Sequence, residues 1–338
     1  MFKSKVIFIT IVIAIIVFLL FLNLQDSPDK DISKVVDDGI DFLYNSQLDY
    51  GEFKVIPCED AQMSVCEKES SLGHVAIIDA LHGIKNKKVD KMAERAIGFW
   101  LSEQLPEGVW KYYSSKDKKD IHPDVDTSSI TFNTIKKYGS EENITYNEKL
   151  IENNIGDNGL YYTWITPFED LNKTWWGEND IDCVVNINVL RNLHKNNPNI
   201  CAFLNDSIEN KKQCSIYYEY EDKKRLPAYY FISKAYIEGV SCVGESSENI
   251  INYIIKNHRK NGSFGNELET AYAVNILINF NYKGFEIDDG VKYLLKKQHT
   301  DGSWETAPAW SGPNKLFYGS EEFTTAIAVE ALNKYLNN

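Results

Sequence analysis

The sequence predicts an all-α protein, a single closed ring of six outer and six inner helices, or (α/α)6 toroid, preceded by an N-terminal transmembrane helix. Three observations carry this expectation. One loop spacing recurs five times; amphipathic runs alternate with runs rich in small and apolar residues; and the chain opens on an uncharged apolar stretch. Composition agrees with a globular domain: 43% of the 338 residues are hydrophobic and 25% charged, with a mean hydropathy of -0.36, which excludes a disordered chain and a polytopic membrane protein. A net charge of -13, from 36 Lys+Arg against 49 Asp+Glu, excludes nucleic acid as a partner because the phosphate backbone would be repelled.

Val6 to Leu24 forms the apolar stretch, and at about 1.5 Å per residue it reaches roughly the thickness of a bilayer's hydrocarbon core. Lys3 and Lys5 precede it while Asp26, Asp29 and Asp31 follow. The positive-inside bias therefore places the N-terminus in the cytoplasm and the remainder outside. No small-residue cleavage site follows, so an uncleaved anchor is favoured over a signal peptide. The expected organisation is a cytoplasmic tail (1–5), a transmembrane anchor (6–24) in the lipid bilayer, a linker (25–30) and one toroid domain (31–338). Sequons at Asn143, Asn172, Asn205 and Asn261 are compatible with export.

The recurring spacing places a Gly four residues after a helix end and an aromatic two residues later. Its copies are Gln47 to Phe53 around Gly51, Gln104 to Trp110 around Gly108, Ile155 to Tyr161 around Gly159, His258 to Phe264 around Gly262, and Gln298 to Trp304 around Gly302. Each follows an amphipathic run, such as Val35, Ile40, Phe42 and Leu43, which reads as an outer helix ended by a left-handed glycine. After each loop, polar residues open a second helix rich in small or apolar residues. These starts are Ser70-Ser71, Asp126-Thr127, Asp182, Glu269-Thr270 and Thr324-Thr325, read as N-caps of inner helices. A sixth pair is read as Leu204 to Gln213 and Ala228 to Glu238, with Pro227 in the first turn. Separate hairpins cannot bury these faces, whereas a ring of six can.

Six cysteines suit an oxidising compartment. Cys58 with Cys66, and Cys201 with Cys214, flank short polar loops as possible disulfides, while Cys183 and Cys242 sit beside apolar runs; spacing alone does not fix connectivity. No Cys-x2-Cys pair and no cofactor motif occurs, so neither a metal nor a cofactor is expected.

Gln298-His-Thr-Asp301-Gly302-Ser303-Trp304 resembles the Q-x-x-D-G-S-W repeat of squalene–hopene and oxidosqualene cyclases, and the other four copies resemble degraded versions of it. The chain after the anchor is thus similar to the α/α toroid superfamily of terpenoid cyclases and protein prenyltransferases. The resemblance implies a central cavity at the N-terminal ends of the inner helices, with an isoprenoid or other apolar lipid as ligand. Cyclases of this kind begin by protonating an alkene or epoxide with an Asp set in D-x-D-D-T-A or D-C-T-A. On that pattern Asp126 falls on the acid, Thr127 replaces the next Asp, Asp124 and His122 become its tuning neighbours, and Asp180 and Asp182 are second candidates. Tyr161, Tyr162, Trp164, Trp175, Trp176, Trp310 and Tyr318 are candidates to line the cavity and face a carbocation. The resemblance further implies a site normally enclosed between two helical barrels, of which this chain has one.

Two branches of the superfamily are disfavoured. Prenyltransferase zinc needs an Asp two residues before a Cys, whereas Asp182 and Cys183 are adjacent; the Gly-Cys-Gly-Glu-Gln of thioester toroids does not occur. Two alternatives to catalysis on lipids stay open. The same carboxylates serve a non-catalytic binding scaffold as ordinary helix caps, or, with the aromatics, a glycan-active (α/α)6 enzyme.

Overall fold

The computed structural model describes residues 31–66, 70–71, 75–117, 120–140, 144–166, 172–174, 177–219, 225–312 and 316–338. The expected tail, anchor and linker (1–30) lie outside these residues, as do Trp175 and Trp176. Among the described residues no helix is long and apolar enough to cross a membrane.

The described chain is mainly helical and closes into an α/α toroid. The outer helices are α1 (Ile32–Ser46), α3 (Lys87–Glu103), α5 (Glu148–Asn153), α7 (Pro198–Glu209), α9 (Ser247–Lys256) and α11 (Glu286–Lys297). The inner helices are α2 (Val75–Leu81), α4 (Val125–Lys137), α6 (Cys183–Leu193), α8 (Leu226–Ile237), α10 (Glu267–Asn279) and α12 (Glu321–Leu336). Each inner helix packs on the next, and α12 packs on both α1 and α2, so the ring is complete. Burial follows position. Outer α1 buries one stripe, Val35, Val36, Gly39, Ile40 and Leu43, whereas inner α6 buries every residue from Cys183 to Asn192.

The repeated loop is the joint between units. Gln47 Nε2 donates to the Met92 carbonyl on α3 at 3.0 Å, and Gln298 Nε2 donates to the Val35 carbonyl on α1 at 2.8 Å. The last copy therefore ties the chain's end to its beginning. Gly302 adopts φ +94, and a Cβ there would lie 2.2 Å from the Asp38 carbonyl oxygen, so only glycine permits the loop to reach α1. Trp304 is fully buried and donates through Nε1 to the Leu294 carbonyl at 2.9 Å, locking loop to outer helix.

Several expectations are corrected at helix starts. Asp182 caps α6 as expected, but α4 is capped by Asp124 rather than Asp126-Thr127, α10 by Asn266 and α12 by Ser320. The polar pairs read as caps lie inside the helices, where Glu269 closes a capping box with Asn266 and Thr325 Oγ1 accepts from the Trp304 backbone. Ser70-Ser71 form a strand, not a helix start. The outer helix expected from Leu204 is α7, which begins at Pro198, capped by Asn197, six residues earlier.

Strands amend the all-α expectation. A four-stranded antiparallel sheet, in the order β2-β1-β6-β5, is built from β1 (Lys54–Cys58), β2 (Ser70–Ser71), β5 (Pro308–Ser311) and β6 (Phe317–Gly319). Ile56 faces Gly319 and Cys58 faces Phe317 in the central pairing. The sheet joins the first and last outer-to-inner connections, which are distant in sequence and become neighbours only when the ring closes. A short ribbon, β3 (Lys173–Thr174) with β4 (Gly177–Glu178), completes the strands.

Three disulfides form, Cys58–Cys66, Cys183–Cys214 and Cys201–Cys242. The expected Cys201–Cys214 pair is absent because α7 intervenes and carries the chain about 12 Å along its axis between Cys201 and Glu209. Cys214 instead meets the start of α6, where its carbonyl accepts from the Cys183 backbone at 3.0 Å.

Candidate active site

The N-terminal ends of the inner helices α4 and α6, the sheet strands near Trp310 and Tyr318 and the outer-to-inner loops surround a cavity of about 420 Å³. Its wall is largely aromatic, with Tyr112, Tyr113, Trp164, Tyr217, Tyr218, Trp310 and Tyr318, and both Asp124 and Asp126 lie on it. The aromatics brace one another. Trp310 stacks on Tyr318 at a centroid separation of 5.9 Å and donates through Nε1 to Tyr112 Oη at 2.7 Å.

Asp124 and Asp126 occupy different positions at the start of α4. Asp124 Oδ1 accepts from the Thr127 backbone at 2.6 Å as the cap, while its Oδ2 is buried with no hydrogen-bond partner. Burial, with the charge of Asp126 adding to it, raises the Asp124 carboxyl to about 8. Asp126 lies in the first turn, where Oδ1 accepts from Asn188 Nδ2 at 2.7 Å and Oδ2 from Tyr218 Oη at 3.0 Å. Burial raises its carboxyl too, against the opposing pull of those two donors and of Arg191.

Asn188 is oriented from below. Its Oδ1 accepts from Arg191 Nη1 at 2.9 Å, leaving its amide to donate to Asp126. Arg191 is buried on α6 and pairs at 2.8 Å with both Asp79 and Glu238, while Lys137 pairs with the same two carboxylates and Lys234 with Asp79. Lys234 also reaches Glu330 on α12, so charged side chains span the ring below the cavity. Deep burial is offset here by opposite charges, and Asp79 and Glu238 are held below their usual carboxyl range by Arg191 and Lys137.

The remaining expected site residues divide between support and exclusion. Asp182 is fully buried and does not line the cavity; its Oδ1 caps α6 and its Oδ2 accepts from Ser215 Oγ at 2.6 Å and the Ile216 backbone at 2.8 Å. Burial lifts it to about 7. Asp180 lies behind the wall and accepts from Thr163 Oγ1, from Trp164 Nε1 at 3.1 Å and from Tyr217 Oη at 2.8 Å. His122 lines a separate groove of about 350 Å³ with Lys111 and Asp120, on the outside of the loop that carries Asp124 inward. Trp164, Trp310 and Tyr318 lie on the cavity wall. Tyr161 and Tyr162 do not: the Tyr161 backbone exchanges hydrogen bonds with the Asn186 side chain on α6, and the Tyr162 ring lies against Gly156. Tyr112, Tyr113, Tyr217 and Tyr218 line the cavity without having been singled out in the sequence; the first two follow the motif Trp110 by two and three residues, in the segment leading to an inner helix.

Among the described residues, Cys183, Cys214 and Glu219 bring three potential metal-ligand atoms together, but the two sulfurs are joined to each other.

No family model matches this chain, and no curated protein matches it. Solved structures do match in fold. A protein from Actinoplanes superimposes with a TM-score of 0.68 at 14% identity, over 90% of this chain and 100% of that one. The type II terpene cyclase MstE from Scytonema, solved with its product merosterolic acid A, gives 0.65 at 15% identity over 90% of this chain and 97% of that one. ent-Copalyl diphosphate synthase from Streptomyces platensis gives 0.52 at 14% identity, over 77% of this chain and 49% of that one. At these identities the likeness establishes a terpenoid-cyclase-like fold and nothing finer.

Proposed function

We propose that this protein binds an isoprenoid or similar apolar lipid in the aromatic cavity and cyclises or isomerises it by protonation, with Asp126 as the acid. The observation that supports this best is the placement of Asp124 and Asp126, two buried carboxyls whose neutral form burial favours, on one wall of a cavity otherwise lined by aromatic faces. The two carboxyls differ in their partners, Asp126 facing two side-chain donors and Asp124 spending one oxygen on the helix cap. Asn188 and Tyr218 then donate to the carboxylate that remains, which strengthens Asp126 as an acid. In the reaction the alkene π pair takes the Asp126 proton to form a C–H bond and leaves a carbocation facing the aromatic wall. A neighbouring alkene closes the ring, and loss of a proton at the end restores the acid.

A membrane-anchored, extracytoplasmic setting belongs to the same reading. The apolar run at 6–24, the lysines before it and the pairing of all six cysteines support it. A glycan-active site is less well supported, because hydrolysis of a glycosidic bond places two carboxyls on opposite sides of the substrate, and here both occupy one helix start.

The test is incubation of the full chain in detergent with a panel of polyprenoids including squalene, products being read by gas chromatography and mass spectrometry beside Asp126→Asn. A cyclic or isomerised product that disappears in the variant is the expected result. Tight binding of the same compounds with no product from either protein would make the toroid a lipid-binding scaffold instead.

A further inference from the structure

The end of the ring away from the cavity has a surface of its own. Ser320, the cap of α12, lies two residues after Tyr318 of the cavity wall, and the helix runs 16 residues, about 24 Å, to Leu336. There the last turns of α8, α10 and α12 and the first turns of α1 surround a hollow of about 610 Å³, with Ser33, Ile237, Asn279 and Leu336 among its lining. Ile237 and Leu336 are 50% and 43% exposed, and the neighbouring Tyr236 is 39% exposed. Water is a poor environment for such side chains, and an apolar or interfacial partner suits them better. Lys283 reaches Asn338 of the same lining at 3.2 Å, and Lys85 lines the hollow directly. The one carboxylate on its described lining, Asp37, accepts from Asn86 at 3.3 Å.

The chain also enters the fold here. Asp31 caps α1, and Ser33, two residues on, lines the hollow. On the anchored reading the apolar run ends at Leu24, and the seven steps from there to Asp31 span at most about 25 Å even when fully extended. The hollow is therefore tethered near the bilayer, whereas the cavity lies a helix length further along α12. Apolar side chains flanked by lysines match the boundary between acyl chains and anionic head groups, where the lysine stems lie along apolar material and their amines meet phosphate.

We propose that this end of the toroid rests on the surface of the anchoring bilayer, with Tyr236, Ile237 and Leu336 entering the head-group layer and Lys85 and Lys283 meeting anionic head groups, while the aromatic cavity is held on the far side. This rests on the membrane-anchored reading above and adds the orientation of the domain. A ligand then reaches the cavity from the side facing away from that membrane.

The test uses the full chain reconstituted in vesicles of phosphatidylcholine and phosphatidylglycerol. Since the native cysteines are all paired, one introduced cysteine takes a thiol-reactive fluorophore. Asn337→Cys places it at the hollow, and Glu178→Cys places it on the cavity side, two residues before Asp180; both positions are exposed. Lipids carrying a nitroxide near the head group should quench the label at 337 about threefold or more beyond that at 178, because each interfacial layer is only about 5–8 Å deep. Adding Ile237→Ser and Leu336→Ser to the Asn337→Cys chain should lower that quenching about twofold or more without moving the melting temperature, as both side chains are half exposed. Equal quenching at the two positions, or stronger quenching at 178, would overturn the proposal, and so would quenching at 337 that the two serines leave unchanged. Vesicles that float free of the chain would overturn the anchored reading itself, an outcome distinct from the others.

Discussion

Two aspartates two residues apart at one helix start behave differently because their hydrogen bonds differ. Asp124 spends one oxygen on the cap and leaves the other unpartnered in a buried site, so its neutral form is favoured. Asp124→Asn keeps an acceptor for the Thr127 amide and removes the ionisation. A carboxyl raised to about 8 contributes stability fully at pH below its unfolded value near 4, and that contribution is lost as pH rises through 8. The variant should therefore gain on the wild type by about 1.4 kcal/mol per pH unit across that window, measured by urea unfolding at several pH values. A pH-independent difference would show that Asp124 ionises normally. Asp126 must carry its proton to act, so turnover should fall on the alkaline side as this pair titrates. Tyr218→Phe removes one donor to the Asp126 carboxylate; it should slow turnover about tenfold or more and shift the alkaline limb upward, with little change in lipid affinity.

At the scale of elements, the segment from Cys214 to Glu219 sets the cavity wall. It caps the structure around Asp182 through Ser215 and Ile216, delivers Tyr217 to Asp180 and Tyr218 to Asp126, and is tied to α6 by the Cys183–Cys214 disulfide. Replacing both cysteines by serine should lower stability by about 3 kcal/mol and reduce turnover beyond that loss, since both tyrosines are then free to leave the wall. Thermal unfolding beside the product assay separates the two effects; unchanged turnover in the folded fraction would mean that the loop needs no tether. Much of this was hidden in the sequence. Tyr217 and Tyr218 look like any aromatic cluster, and their roles depend on where the loop lands. Helix starts fall a few residues from the sequence expectation for a related reason, because Asp126 and Thr325 are polar residues near helix starts whose partners lie on other elements, while Glu269 answers its own helix cap Asn266.

The whole molecule is held by its ring closure and its charged centre. Gly302→Ala puts a Cβ against the Asp38 carbonyl at positive φ and should destabilise the fold by about 1–3 kcal/mol, more than alanine at Gly83, where the added atom meets nothing within 4 Å. Equal effects on the two melting temperatures would remove the argument that the last repeat clamps the first. Arg191→Met leaves Asp79 and Glu238 without their shared guanidinium and frees Asn188 to turn, so it should cost about 3–5 kcal/mol and raise the Asp126 carboxyl further. Hydrogen exchange at the inner helices reports the first effect, and the pH profile of turnover the second.

The ring itself was legible in the chain, because five copies of one spacing and the alternation of striped with fully apolar helices express a local geometry that repeats: a helix stop, a loop and an aromatic that folds back. Asp124, Asp126, Trp164, Trp310 and Tyr318 share one cavity wall, and each lies in a connection leading to an inner helix or in that helix's first turn. Tertiary structure alone decided what depends on which ends meet. The sheet exists because ring closure brings the first and last connections together; Cys201 pairs with Cys242 because a rigid helix carries Cys214 elsewhere; and Asp126, rather than Asp124, is the carboxyl with two donors because α6 and the Cys214–Glu219 loop arrive beside it from other repeats. Spacing along the chain records local backbone geometry. Hydrogen-bond partners and burial, which set the acidity of a carboxyl, are properties of the closed ring.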